Sequence, residues 1–119
     1  MPEYSLTNKQ ARQFMLRWQG LLGAPRFSGR DGLLDYVRQA GCIQFDPVDV
    51  CGKNAELVLF ARLRGFKKTQ LGKALYKHRT LVDHWDKNMS IYPVEDWPGF
   101  ARNRERFIAL GFIFICDFL

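Results

Sequence analysis

The sequence predicts one domain of mixed α+β fold, mainly helical, and three observations support that prediction. Apolar residues recur at helical spacing in five segments, polar and apolar residues alternate in a short strand at 43–48, and two strand-like runs flank a polar turn at 86–88. The chain has 119 residues, of which 47% are hydrophobic. That composition is sufficient for one core and excludes an intrinsically disordered chain.

The first two helices are predicted from their caps and their apolar spacing. Thr7 or Asn8 caps a helix whose apolar residues follow i, i+3, i+4, i+7 spacing: Ala11, Phe14, Met15, Trp18 and Leu22. Asp31 caps a second helix, which ends at Gly41 and turns four apolar residues inward: Leu33, Leu34, Val37 and Ala40. Three tryptophans in apolar periodic contexts are expected in the core: Trp18, Trp85 and Trp97.

The middle of the chain completes the predicted fold. After the strand at 43–48, an apolar helix from Asn54 to Arg64 is expected to be buried at the centre, and a fourth helix begins at Thr69. Two strands, Thr80–Trp85 and Met89–Tyr92, form a hairpin, and a further helix is predicted from Pro93 to Arg106. This order fits a winged helix, a helix-turn-helix unit with a β-hairpin wing, over residues 1–100.

The end of the chain is interpreted separately. Residues 107–115 are uniformly apolar, which a self-contained domain rarely leaves exposed. Residues 101–119 are therefore expected to be the start of a truncated following segment. A surface for homo-oligomer formation and a shuffled terminus are the alternatives.

Gln44 and Asp46 are the candidate catalytic residues. Alternate side chains of a strand share a face, so these two point one way while Ile43 and Phe45 point the other. If the apolar pair is buried, an amide and a carboxylate lie side by side on the opposite surface, where they can hold and activate a water molecule. The alternative interpretation is a strand that ends in a turn, with Asp46 bonded to nearby backbone N–H groups.

A polyanion is the predicted partner because the positive charge is concentrated in the second half of the chain, and the winged-helix pattern makes double-stranded DNA the expected one. Residues 1–60 contain 7 Lys and Arg against 6 Asp and Glu, whereas residues 61–119 contain 11 against 6. The candidate DNA-binding residues lie around the fourth helix and at the hairpin tip: Lys67, Lys68, Lys73, Lys77, Arg79 and Lys87. The alternative is a solvated basic helix face.

No metal, cofactor or membrane association is predicted. Three cysteines without a CxxC pair suit a reducing compartment, and no run approaches the ~20 apolar residues of a membrane helix. The expected location is the bacterial cytoplasm, in association with the nucleoid.

Several of these residues match the pattern of a known protein family. Gln44-Phe45-Asp46-Pro47-Val48, the run 57–62 (Leu-Val-Leu-Phe-Ala-Arg) and the later Trp85, Pro93 and Trp97 resemble the YcaQ-like winged-helix DNA glycosylases, which repair alkylated purines and interstrand crosslinks. Members contain several tandem winged-helix modules, so the chain resembles the first module only. Where the family often has a basic residue and a His before the central helix, this chain has Lys53 and Asn54, which join the DNA-binding candidates.

The resemblance implies hydrolysis of the N-glycosidic bond to an alkylated, often cationic, purine, with Gln44 and Asp46 as the catalytic pair. A single module cannot enclose a duplex, so the chain alone is expected to bind DNA with weak or no glycosylase activity. A non-catalytic winged-helix DNA binder is one alternative. The other is a truncated remnant that associates through its apolar end.

Overall fold

The computed structural model describes residues 4–46, 49–85 and 89–110. Within these ranges the chain forms a mixed α+β fold that is mostly helical, as predicted. The α-helices are α1 (Asn8–Trp18), α2 (Gly29–Ala40), α3 (Asn54–Arg62), α4 (Lys68–Gly72) and α5 (Ala101–Ala109). The strands are β1 (Phe27–Ser28), β2 (Ile43–Gln44), β3 (Leu63–Arg64), β4 (Leu81–Trp85) and β5 (Met89–Pro93). A π-helical turn (Lys73–Lys77) continues α4, and a 3₁₀ helix (Val94–Phe100) precedes α5.

The strands form two small sheets. In the larger one the order is β2-β5-β4 and both pairs are antiparallel, so β2 is an edge strand. The predicted hairpin is therefore present as β4 and β5. Strand β2 is shorter than the predicted 43–48, although the N–H of Phe45 still donates to the carbonyl of Met89 at 2.8 Å. The second sheet, which the sequence did not predict, is a parallel pair of β1 and β3.

The core lies between the helices and one face of the larger sheet. Helix α2 contributes Leu33 and Val37 at i, i+4 spacing, and α3 contributes Leu59. Ile43 and Ile91, directly paired across β2 and β5, close this core from the sheet side. Burial of these apolar side chains, at about 25 cal/mol per Å², is the main favourable term for the fold.

Helix α1 forms but ends at Trp18, before the predicted Leu22, and its apolar face does not enter the core. Thr7 is the N-cap: its Oγ1 accepts from the N–H of Gln10, and its own N–H donates to Gln10 Oε1. Phe14 is 62% exposed and Trp18 is 48% exposed. The core assignment of Trp18 was therefore wrong, because spacing identifies an apolar face but not what covers it.

The predicted start of α2 and the predicted end and burial of α3 need correction. Helix α2 begins at Gly29, so Asp31 lies in its first turn rather than at its cap, where its charge still suits the helix dipole. Helix α3 ends at Arg62, because the next two residues pair with β1. It is not buried all round either, since Phe60 is 73% exposed.

The predicted helix from Pro93 to Arg106 is two elements rather than one. A 3₁₀ helix runs to Phe100, and α5 begins only at Ala101. Pro98 lies inside the 3₁₀ segment, where its missing N–H disfavours a continuous α-helix. Of the apolar run at 107–115 and the predicted truncated segment at 101–119, residues 111–119 lie outside the described residues.

Candidate functional site

Strand β2 exposes Gln44 on the side opposite the core. Ile43 is 3% exposed and Phe45 packs against the core, whereas Gln44 is exposed and Asp46 is partly buried. The predicted alternation is therefore seen for Ile43 and Gln44, whereas Phe45 and Asp46 are both partly buried. The catalytic role of the two residues stays a prediction.

A row of polar residues crosses the sheet on the side of Gln44. Gln44 is paired with Ser90 in β5, and Ser90 is paired with His84 in β4. Residues directly opposite each other in antiparallel strands point to the same face, so all three side chains share it. Ser90 and His84 are buried and Gln44 is exposed. The row thus runs from a buried end at β4 to an open end at the edge strand.

The 3₁₀ helix covers the buried end of this row. The His84 ring packs edge to face on the ring of Trp97, with centroids 5.1 Å apart. The ring centroids of Tyr92 and Phe100 are 4.4 Å apart. The Arg104 guanidinium lies 4.0 Å from the centroid of the Trp97 ring. These contacts leave Trp97 partly buried rather than in the core where the sequence placed it, and the Arg104 guanidinium packs against its ring.

Asn54 connects the edge strand to the start of α3. Its Nδ2 donates to the backbone carbonyl of Gln44 at 2.8 Å, which fixes the backbone next to the candidate pair. Asn54 was predicted to bind DNA. That contact stays a prediction, and the structure gives its side chain a different bond.

The candidate DNA-binding cations are exposed wherever the structure describes them. Five lie on or beside α4 and the π-helical turn, and a sixth precedes α3: Lys67, Lys68, Lys73, Lys77, Arg79 and Lys53. Lys87, which the sequence placed at the hairpin tip, lies outside the described residues. Exposed Lys and Arg on one helical segment are suited to phosphate contacts.

Among the lysines described in the structure, Lys68 forms an ion pair with a carboxylate. Its Nζ lies 2.9 Å from Glu56 Oε2, and this hydrogen bond raises the pKa of the Lys68 ammonium. The Glu56 side chain is only 18% exposed. Part of the charge of Lys68 is therefore compensated within the protein.

The π-helical turn presents Lys73 and Lys77 on a widened helix end. The N–H of His78 donates to the carbonyl of Lys73 at 2.7 Å, an i→i+5 bond. Arg79 then adopts φ 52°, and the next N–H, that of Thr80, returns to Ala74 at 2.9 Å. Because π-helical turns are frequent at functional sites, this turn is consistent with the prediction that Lys73 and Lys77 contact DNA.

Comparison with known proteins decides the family. A family model described as DNA glycosylase AlkZ-like matches residues 37–111, more than half of the chain. The chain belongs to the AlkZ-like DNA glycosylase family. The match confirms the glycosylase resemblance found in the sequence. No curated protein and no solved structure matches the chain.

The AlkZ-like match contains the whole candidate site. It begins within α2 and includes β2, α3, the basic segment, the hairpin and all of α5. Helix α1 and strand β1 precede it. The polar row and the exposed lysines of the basic segment thus lie within the matched residues.

Sequence reasoning missed Ser90 as a member of the polar row of this AlkZ-like chain. Serine gives no periodic signal of its own, and its position opposite Gln44 depends on the register of β2 with β5. Only that register, which joins residues far apart in the chain, identifies it.

The described part of this family member contains neither a metal-binding cluster nor a membrane-spanning helix. Its residues contain no group of three His, Cys, Asp or Glu side chains placed to hold a metal ion. Cys42 and Cys51 are exposed free thiols, and Cys116 is outside the described ranges. None of the helices seen in those ranges is both long enough and apolar enough to span a bilayer.

Proposed function

We propose that the chain is a winged-helix DNA-binding module of a glycosylase that hydrolyses the N-glycosidic bond of alkylated purines in double-stranded DNA. The observation that carries the proposal is the alternation in β2 within the segment that matches the AlkZ-like family. Ile43 is buried in the core and Gln44 is exposed to solvent. Asp46, two residues after Gln44, is partly buried.

The order of the elements supports the winged-helix assignment. A helix (α2), an edge strand (β2), two helices (α3 and α4) and a hairpin (β4 and β5) follow each other, and the last strand lies between the other two. A helix-turn-helix unit followed by a two-stranded wing has this order of elements. In such a unit α4 is the helix next to the DNA and the tip at 86–88 is the wing.

The chemistry follows from the leaving group. An alkylated purine that is already cationic departs with the electrons of the C1′–N bond, so no strong acid is needed. The sugar develops oxocarbenium character, and a carboxylate close to it stabilises the positive charge. Asp46 accepts a proton from the attacking water, Gln44 orients that water, and the new C1′–O bond leaves an abasic site.

The lysines supply the binding energy for DNA in this proposal. Phosphate contacts release counterions, so each contact makes the observed affinity fall by about one power of salt concentration. Two lysines of the π-helical turn and Arg79 lie on the same continuous segment as α4, and all three are exposed.

Mutation of the pair tests the catalytic assignment. With the protein in excess over DNA that carries N7-alkylguanine, we expect salt-sensitive binding and slow or undetectable formation of abasic sites. Any measurable rate should fall by about 10²-fold in Asp46→Asn or Gln44→Ala, with DNA affinity retained. Asp49→Asn removes a nearby exposed carboxylate and should leave the rate unchanged.

Two results would contradict parts of this proposal. If Asp46→Asn releases the base as fast as the unaltered chain, the catalytic pair is assigned wrongly. If efficient abasic-site formation is found and is lost in Asp46→Asn, a single module is a complete enzyme, contrary to our expectation.

A non-catalytic DNA-binding module is the second candidate. It is favoured by the partial burial of Asp46, since a carboxylate engaged with the protein is less available to a water molecule. In that case DNA binding depends on the lysines alone. The Asp46→Asn variant then binds alkylated and unmodified duplexes with equal affinity, as the unaltered chain does.

A further inference from the structure

Helix α1 presents a continuous apolar stripe to solvent. Phe14, Met15 and Trp18 recur at i, i+1 and i+4 and are 62%, 65% and 48% exposed. The rings of Phe14 and Trp18 stack with centroids 6.4 Å apart, so they form one surface. Every residue of α1 is described in the structure, and none of them is buried. Exposed large apolar groups gathered on one face mark an interaction surface.

Within the part of the chain that the structure describes, few contacts hold this helix in place. α1 has only 11 residues, and isolated helices shorter than about 12–15 residues are marginal in water. Its C-terminal end is tied to α2, because Gln39 Nε2 donates to the carbonyl of Trp18. The Arg26 guanidinium lies 5.9 Å from the centroid of the Trp18 ring. The Thr7 capping box and these few contacts orient α1 without covering its stripe.

The charges around the stripe indicate what covers it. Residues 4–30 contain Lys9, Arg12, Arg17, Arg26 and Arg30 and no Asp or Glu. At about 100° per residue, Arg12 and Arg17 fall on opposite sides of the line through Phe14, Met15 and Trp18. An apolar seam bordered by cations on both sides is complementary to an apolar seam bordered by carboxylates.

We propose that α1 docks an acidic amphipathic helix of a partner protein, whose apolar stripe packs on Phe14, Met15 and Trp18 and whose Asp or Glu side chains flank that stripe. Arg12 and Arg17 pair with these carboxylates and fix the register. This surface lies outside the residues that match the glycosylase family, and its role does not depend on the proposed function.

Other occupants fit the surface less well. A second copy of α1 would bring together two helices that each carry Lys9, Arg12 and Arg17 and no acidic residue. DNA offers phosphates but little apolar surface for three large side chains. An interfacial membrane helix usually has its cations on the face opposite a broad apolar half, whereas here arginines border a narrow stripe.

A pair of synthetic peptides tests the proposal on the full chain. Both are amphipathic helices of about three heptads with Leu in the seam. One has Glu at the flanking positions and the other has Lys at the same positions. By fluorescence anisotropy we expect saturable binding of the Glu peptide, roughly tenfold or more tighter than the Lys peptide and weakened by added salt.

Variants of the stripe and of its border sharpen the test. Phe14→Asp should weaken binding of the Glu peptide by roughly tenfold or more, whereas Gln13→Asp, on the opposite side of α1, should have a much smaller effect. The double variant Arg12→Glu and Arg17→Glu should reverse the preference towards the Lys peptide. That reversal keeps the test informative if Phe14→Asp prevents folding.

Four outcomes would overturn the proposal. The first is equal affinity for the two peptides, and the second is an equal loss of Glu-peptide affinity in Phe14→Asp and Gln13→Asp. The third is a concentration-dependent dimer that Phe14→Asp abolishes. The fourth is cosedimentation with phosphatidylglycerol vesicles that Phe14→Asp abolishes. The third would assign the surface to a second copy and the fourth to a membrane. Loss of DNA binding or base release in Asp46→Asn or the lysine variants bears on the proposed function alone.

Discussion

At the scale of single residues, the direction of each β2 side chain is fixed by its neighbours. Ile43 is held in the core beside Ile91, so Gln44 must point away from it. The bond from Asn54 to the Gln44 carbonyl holds the same backbone from the side of α3. A register slip of one residue would expose Ile43 and bury Gln44, which is why this short strand is strongly specified.

Adjacent residues of α3 should respond very differently to truncation. Leu59 has no exposed surface and Phe60 is 73% exposed. We expect Leu59→Ala to lower the free energy of unfolding by about 2–5 kcal/mol, because it leaves a cavity in the core. Phe60→Ala should change it by less than about 0.5 kcal/mol. Urea denaturation followed by far-UV circular dichroism measures both, and similar losses would show that α3 is buried all round.

At the scale of elements, periodicity predicted which segments are helical better than it predicted what those helices touch. Thr7 and the apolar spacing correctly indicated where α1 begins, and the apolar Ile43 beside the polar Gln44 correctly indicated which side of β2 faces the core. The pairing of β1 with β3 involves two residues in each strand, too few for any periodic signal. The exposure of the apolar face of α1 was not predicted, because apolar spacing identifies such a face but does not show what packs against it.

The contact between α2 and the 3₁₀ helix should make stability depend on pH. Arg38 Nε donates to Glu95 Oε1 at 2.6 Å and Nη2 donates to Oε2 at 3.1 Å. These hydrogen bonds lower the pKa of the Glu95 carboxyl, so the folded state favours its ionised form. The stabilisation is therefore present above the pKa of the unfolded chain and is lost as the pH falls through the lower pKa of the folded state.

Glu95→Gln tests this dependence. At neutral pH the variant should unfold at a lower temperature than the unaltered chain, and the difference should shrink in acid, where Glu95 itself is protonated. The effect should be small because both side chains are about half exposed. Glu105→Gln replaces an exposed carboxylate of α5 and should show no such convergence. Thermal melts in a series of buffers would contradict the assignment if the difference were independent of pH.

At the scale of the whole molecule, the two proposed surfaces divide the positive charge between them. The basic segment around α4 lies within the family match, and the basic stretch 4–30 precedes it. If the first binds DNA and the second binds a partner helix, neutralising one should leave the other unchanged. The salt dependence of DNA binding measures that separation directly, because its slope counts the phosphate contacts.

Replacing lysines in each region should therefore change the slope unequally. For a double variant Lys73→Gln and Lys77→Gln, we expect the slope of log affinity against log salt to fall in magnitude by about two. Lys68→Gln should reduce the magnitude of the slope by less than one, since Glu56 already compensates part of the Lys68 charge. Lys9→Gln, on α1, is the control and should leave the slope unaltered. Anisotropy titrations of a duplex at several salt concentrations provide the slopes, and a loss in Lys9→Gln equal to that of one π-turn lysine would place α1 on the DNA instead.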